Sequence, residues 1–146
     1  MKRAKAIFLH HSTGFCIWQG GVVEWIQKYN QGKGTDFQVR ELAFPKKEPY
    51  GWNNYPFDYW NIWVKQAGPQ PYLEEPTLEI LTKDYDLIIW KHCFPVSNIK
   101  PDTGHPDINS AEKRLENYKL QYLALKEKML SFPDIKFLVW TSPALL

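Results

Sequence analysis

The hydrophobic positions of this chain fall into short, dense runs, and several of them stop abruptly at a polar turn. Ala4 to Leu9 is a continuous apolar run behind basic residues, the pattern of a strand covered on both faces. It ends at His10-His11-Ser12-Thr13-Gly14. Val22, Ile26 and Tyr29 then share one helical face, which predicts a helix from about Gly21 to Asn30, ended by Gly32 and Gly34. Phe37 to Phe44 alternates before turning apolar and predicts a second, more peripheral strand. Tyr85 to Trp90 is the clearest buried strand, and it too ends in a polar stretch, Lys91 to Ile99. A Pro/Gly/Asp loop covers Lys100 to Ile108. Asn109 and Glu112 have the spacing of a capping box. They predict a long helix to about Ser131, with Leu115, Tyr118, Tyr122, Leu125 and Met129 on one face. Ile135 to Trp140 is the last strand.

Between the second and third strands, Pro45 to Pro76 interleaves prolines with Tyr50, Trp52, Tyr55, Phe57, Tyr59, Trp60, Trp63 and Tyr72. This is too aromatic for a disordered linker. It predicts an ordered excursion, with a short helix around Asp58 to Gln66, that closes one edge of the core as a flap, walls a ligand, or both. A further short helix is expected over Thr77 to Lys83.

The order of strand, helix, strand, excursion, strand, helix and strand predicts one α/β domain over residues 1–146. The expected architecture is a flavodoxin-like three-layer sandwich around a parallel sheet of about four strands. In that topology the first and third strands are neighbours at the switch point of the sheet. Ser12 and the His92 to Asn98 loop then face one another across a crevice.

Composition adds exclusions. A net charge of +2 is too small to argue for nucleic acid. No apolar run is long enough to span a bilayer. The basic start Met1 to Lys5 lacks the apolar length of a signal peptide behind it, so no membrane partner and a cytoplasmic location are expected. Cys16 and Cys93 form neither a zinc pattern nor a disulfide framework, and read as small buried hydrophobes. No nucleotide or cofactor signature occurs, and none is expected.

Each candidate residue has two readings. Ser12 is either a nucleophile or the N-cap of the next helix. His10 and His11 point to opposite faces by strand alternation, which favours hydrogen-bonded structural histidines over a metal pair. Asp102, His105 and Asp107 share one loop and read as solvated turn residues rather than a metal cluster. Lys91 and Cys93 adjoin the crevice.

Several of these stretches also resemble a known family. Ile7 to Gly14 resembles the first sequence block of SGNH/GDSL-type hydrolases, where the nucleophilic serine follows the first strand. Asp86 to Trp90 with a loop reaching Asn98 is similar to the third block, and Val139-Trp140-Thr141-Ser142-Pro143 to the strand-then-proline segment before the final block. The resemblance implies Ser12 as nucleophile and Asn98 as oxyanion donor, with His11, Thr13, Gly14, Trp52, Tyr55, Trp60, His92 and Cys93 around the substrate. It implies a small ester substrate, and the aromatic excursion suggests an acetylated carbohydrate. The family's Gly-Asp before the serine is replaced here by His10-His11, and its C-terminal Asp-x-x-His is absent. Three readings follow. These residues are the front part of a longer domain; or His11, His92 or His105 supplies the base; or the domain binds a glycan or other ligand without catalysis. A thinly covered fourth strand also leaves self-association open.

Overall fold

A computed structural model describes residues 2–51 and 53–140. Trp52 and the 141–143 segment, for which roles are expected above, lie outside these described residues. Strands β1 (Arg3–His10), β2 (Asp36–Ala43), β3 (Leu87–Lys91) and β4 (Lys136–Trp140) form one sheet in the order β2-β1-β3-β4. All neighbours are parallel, so the fold is the expected flavodoxin-like α/β sandwich. Leu9 pairs with Trp90, which brings the carboxyl ends of β1 and β3 side by side.

Alternation along the strands divides the side chains between two layers. Ile7, Leu9, Ile88 and Trp90 enter a core with Leu78 and Leu81 of α4 (Leu78–Asp84) and Leu125 of α5 (Leu115–Leu130). The excursion supplies the rest. Its helix α3 (Pro56–Trp60) runs straight into a π-helical turn, Asn61–Lys65, and delivers Tyr59, Trp60, Ile62 and Trp63 to the same core. Trp63 and Trp90 are fully buried with ring centroids 5.6 Å apart, so the aromatic surplus is in large part core. The expected short helix is present, with its start two residues earlier at Pro56, a residue suited to a first helical turn.

The opposite face carries α1 (Thr13–Gln19) and α2 (Val22–Lys33). Tyr29 stacks on Phe37 there, yet no residue of α2 is buried. Helix α1 was not legible in the apolar pattern, because Phe15, Cys16 and Ile17 are exposed and leave no buried stripe. Cys16 is therefore a surface thiol rather than a buried hydrophobe, whereas Cys93 is buried. The predicted capping box at Asn109 does not form. Its N–H goes back to Asp107 at 2.9 Å, and the Glu112 carboxylate bonds Lys100 at 3.0 Å and Arg114 at 2.9 Å. Residues 109–113 stay outside the helix, largely irregular, and α5 begins only at Leu115.

Candidate functional site

Ser12 sits on the turn between β1 and α1 with φ 51° and ψ −114°. Few non-glycine residues adopt a positive φ, and those that do cluster where a site needs the strain. As the N-cap residue of α1, Ser12 makes no side-chain capping bond. Its hydroxyl is exposed and is not spent on the helix, which removes the local reason for a serine here. The turn is held by backbone bonds, Gly14 N–H to His11 O at 3.0 Å and Phe15 N–H to Ser12 O at 2.8 Å. It also depends on Gly14. A Cβ there would stand 2.4 Å from the His10 Cβ and 2.5 Å from its ring, so only glycine lets α1 approach His10.

A crevice of about 300 Å³ opens beside this turn, lined by Ser12, Asn53, Tyr55, Cys93 and Pro95. The sheet topology thus brings the two polar strand ends together as expected, and the excursion closes the third side. A smaller depression of about 170 Å³ among Lys5, Gln38, Arg40, Asp84 and Tyr85 has no serine, cysteine or histidine in its lining. In open α/β sheets ligands bind beyond the carboxyl ends of the strands, which favours the crevice at Ser12.

The histidines around it are all engaged. His10 is buried and gives its Nε2 to Glu41 at 2.8 Å, and burial outweighs that carboxylate to hold its pKa low. His11 donates from Nε2 to the Pro45 carbonyl, and burial lowers its pKa as well. His92 donates from Nδ1 to the Asn54 carbonyl at 3.1 Å and is boxed by Tyr59, Trp90 and Tyr122. Burial drives its pKa down to about 3, so it stays neutral. His105 lies in an exposed loop. Among the described residues no cluster of metal-ligating side chains occurs.

Asn54 is the hub that the sequence reading missed. Fully buried, it donates from Nδ2 to the Phe44 carbonyl at 2.6 Å and to the Tyr59 hydroxyl at 3.0 Å. Tyr59 in turn donates to the Lys91 carbonyl at 3.1 Å. This chain of bonds ties the excursion to the end of β3 and fixes Asn53 and Tyr55 at the crevice. Asn54 adopts φ 61°, a conformation asparagine tolerates, so the Asn53-Asn54 pair was its only local signal.

Of the residues expected at the site, Ser12, Tyr55 and Cys93 line the crevice together. Thr13 opens α1 and is exposed, His11 is half-buried behind the turn, and Gly14 and His92 are buried supports. Asn98 is exposed at the end of a 3₁₀ turn, Phe94–Ser97, outside the lining. Trp60 is buried in the core under the Lys65 ammonium, 5.5 Å from its ring centroid. Asn53 lines the crevice and was not anticipated. Comparison with protein-family models, with curated proteins and with solved structures returns no match.

Proposed function

We propose that this domain is a serine hydrolase of the SGNH type that cleaves a small ester by acyl transfer through Ser12. The observation that supports it is the conformation of Ser12: a positive-φ serine on a strand-to-helix turn, its hydroxyl uncapped and facing a crevice. A strained turn of this kind presents a nucleophile clear of its own helix. A crevice of about 300 Å³ suits a short acyl group rather than a long chain. Tyr55 offers an aromatic wall, consistent with a sugar as the alcohol portion, while the Lys113 ammonium lies 5.1 Å from its ring centroid.

Two carboxamides compete for the oxyanion. The family resemblance favours Asn98, and the crevice lining favours Asn53. A second reading, a binding domain without catalysis, is supported by the engagement of His10, His11 and His92 described above.

A fluorophosphonate probe on the full chain separates the two. The hydrolase reading expects covalent labelling that disappears in Ser12→Ala, together with hydrolysis of an aryl acetate. No labelling, or labelling that survives Ser12→Ala, overturns it in favour of the binding domain. Asn53→Ala and Asn98→Ala then assign the donor, since loss of one oxyanion contact costs about a hundredfold or more in rate.

A further inference from the structure

We propose that Lys91 is the base that activates Ser12, so that the two side chains work as a serine–lysine dyad. The inference rests on the serine-hydrolase reading above and supplies the group that reading lacks. Lys91 is the last residue of β3, one position beyond the Leu9–Trp90 pair, and therefore stands beside the end of β1. Its Nζ donates to the His11 carbonyl at 3.3 Å. That carbonyl belongs to the peptide bond leading into Ser12.

Lysine is rarely buried without a counter-ion. Lys91 is only 7% exposed and forms no ion pair with any described carboxylate. A single carbonyl contact is poor compensation for a buried ammonium, and a neutral amine loses far less on burial. The groups that face it leave it without an anion. From β1 come His10 and His11, and its neighbour His92 is also close; all three are held low in pKa partly by the Lys91 charge. From α3 comes the Tyr59 hydroxyl, which donates to the Lys91 backbone. On β4 its register partner is Trp140. Cys93 alone favours the ammonium, and its own thiol is pushed up by burial. Burial accordingly moves the Lys91 pKa below the usual 10.5. A lysine so placed matches the desolvated amines that serve as bases elsewhere.

In the reaction, neutral Lys91 takes the Ser12 hydroxyl proton as Oγ bonds to the ester carbon and the carbonyl π pair moves to oxygen. The tetrahedral adduct collapses, the ester C–O bond breaks, and the Lys91 ammonium returns the proton to the departing alcohol. Water then attacks the acyl-serine and gives a proton to Lys91. Breakdown of the second adduct releases the acid and restores the serine proton.

The test is the rate of fluorophosphonate labelling of the full chain between about pH 5 and 10. Wild type is expected to label Ser12 faster as pH rises, levelling off below the ordinary lysine value of 10.5. Lys91→Met and Lys91→Arg, with unchanged far-ultraviolet circular dichroism, are each expected to lose about a hundredfold or more. Arginine keeps the charge and the donor but does not deprotonate, so it distinguishes a base from a structural cation. Wild-type rates in Lys91→Arg overturn the dyad while leaving the hydrolase reading intact. A wild-type profile that is flat, or that follows a midpoint at or below the ordinary histidine value of 6.5, does the same without any variant. A wild-type chain that does not label overturns the hydrolase reading and the dyad with it.

Discussion

Ser12 holds a backbone conformation that suits glycine better than serine, and at a position that gains nothing from capping. Strain of this kind costs on the order of 1–3 kcal/mol and persists where surrounding contacts over-determine the turn. Ser12→Gly is therefore expected to raise the urea midpoint, by about 1 kcal/mol in stability, while Ser12→Ala leaves it near wild type. Both lose covalent labelling. A glycine variant less stable than the alanine variant would show that the turn is unstrained. Gly14 predicts the opposite sign. The added Cβ of Gly14→Ala meets the His10 Cβ at 2.4 Å, an atom fixed to the backbone rather than the far end of a flexible side chain. Overpacking here is expected to cost about 1–3 kcal/mol, read as a lower thermal midpoint, and to slow labelling by displacing Ser12. The turn at Ser12 was legible in the sequence because an apolar strand that stops at a polar, glycine-containing turn is a local pattern. The pairings of Lys91 with His11 and of His92 with Asn54 were not, since partners 80 and 38 residues apart leave no trace in local periodicity.

Among the elements, β1 and β3 were legible because buried parallel strands are continuous apolar runs, β4 because it is a short apolar run although its side chains stay largely exposed, and β2 because it alternates as a half-exposed peripheral strand does. The helices were less so. Helix α1 has no buried stripe to read, and the start of α5 was misplaced because Glu112 is drawn into ion pairs with Lys100 and Arg114. Helix α3 shows what short elements require instead. Asp58 accepts the Tyr55 backbone N–H at 2.7 Å and closes the first turn, yet it is almost fully buried. Burial raises its pKa from 3.8 to about 6, although the Tyr55 N–H and the Tyr50 hydroxyl pull it down. The unfolded chain ionises this carboxyl first, so its contribution favours the folded state below about pH 4 and is lost as pH rises through about 6. The full swing is on the order of 3 kcal/mol. His92 acts in the other direction, losing stability as pH falls from 6.5 towards 3, which masks part of the Asp58 effect in the wild type. The stability of Asp58→Asn minus that of wild type isolates it. This difference is expected to grow by roughly 2 kcal/mol between pH 4 and 7, measured by urea unfolding followed through tryptophan fluorescence. A difference that stays constant with pH would mean Asp58 is solvated and ordinary.

For the whole molecule, the two faces of the sheet are packed very unequally, and the candidate site straddles them. On one side Tyr59, Trp63, Trp90, Leu78 and Leu125 are fully buried and interlocked with β1 and β3. On the other, α2 buries no residue, and Phe15, Trp25 and Tyr29 stay exposed. Local opening follows the density of buried apolar contacts, so the α1–α2 layer is expected to open well below the global unfolding free energy. Native-state hydrogen exchange should then find α2 amides exchanging through small openings. Amides of β1, β3 and α5 should exchange only with global unfolding. Mutation gives the same contrast. Trp63→Ala is expected to cost about 3–5 kcal/mol, because it empties the centre of the dense layer. Trp25→Ala, on an exposed face, should stay within about 0.5 kcal/mol of wild type. Equal protection in α2 and α5, or equal costs for the two tryptophans, would refute the asymmetry. The asymmetry bears on chemistry because Ser12 begins the loose layer, whereas Lys91 ends a strand locked into the tight one and Cys93 follows it by two residues. In the proposed dyad the backbone of the base is held by the Tyr59 hydroxyl, itself fixed by Asn54, and the nucleophile sits on the element with the greater freedom to yield to an arriving acyl group. Stiffening α1 with better helix formers at its exposed positions should thus raise stability without moving Lys91. Any loss of labelling in such a variant would come from Ser12 alone, with the pH midpoint unchanged.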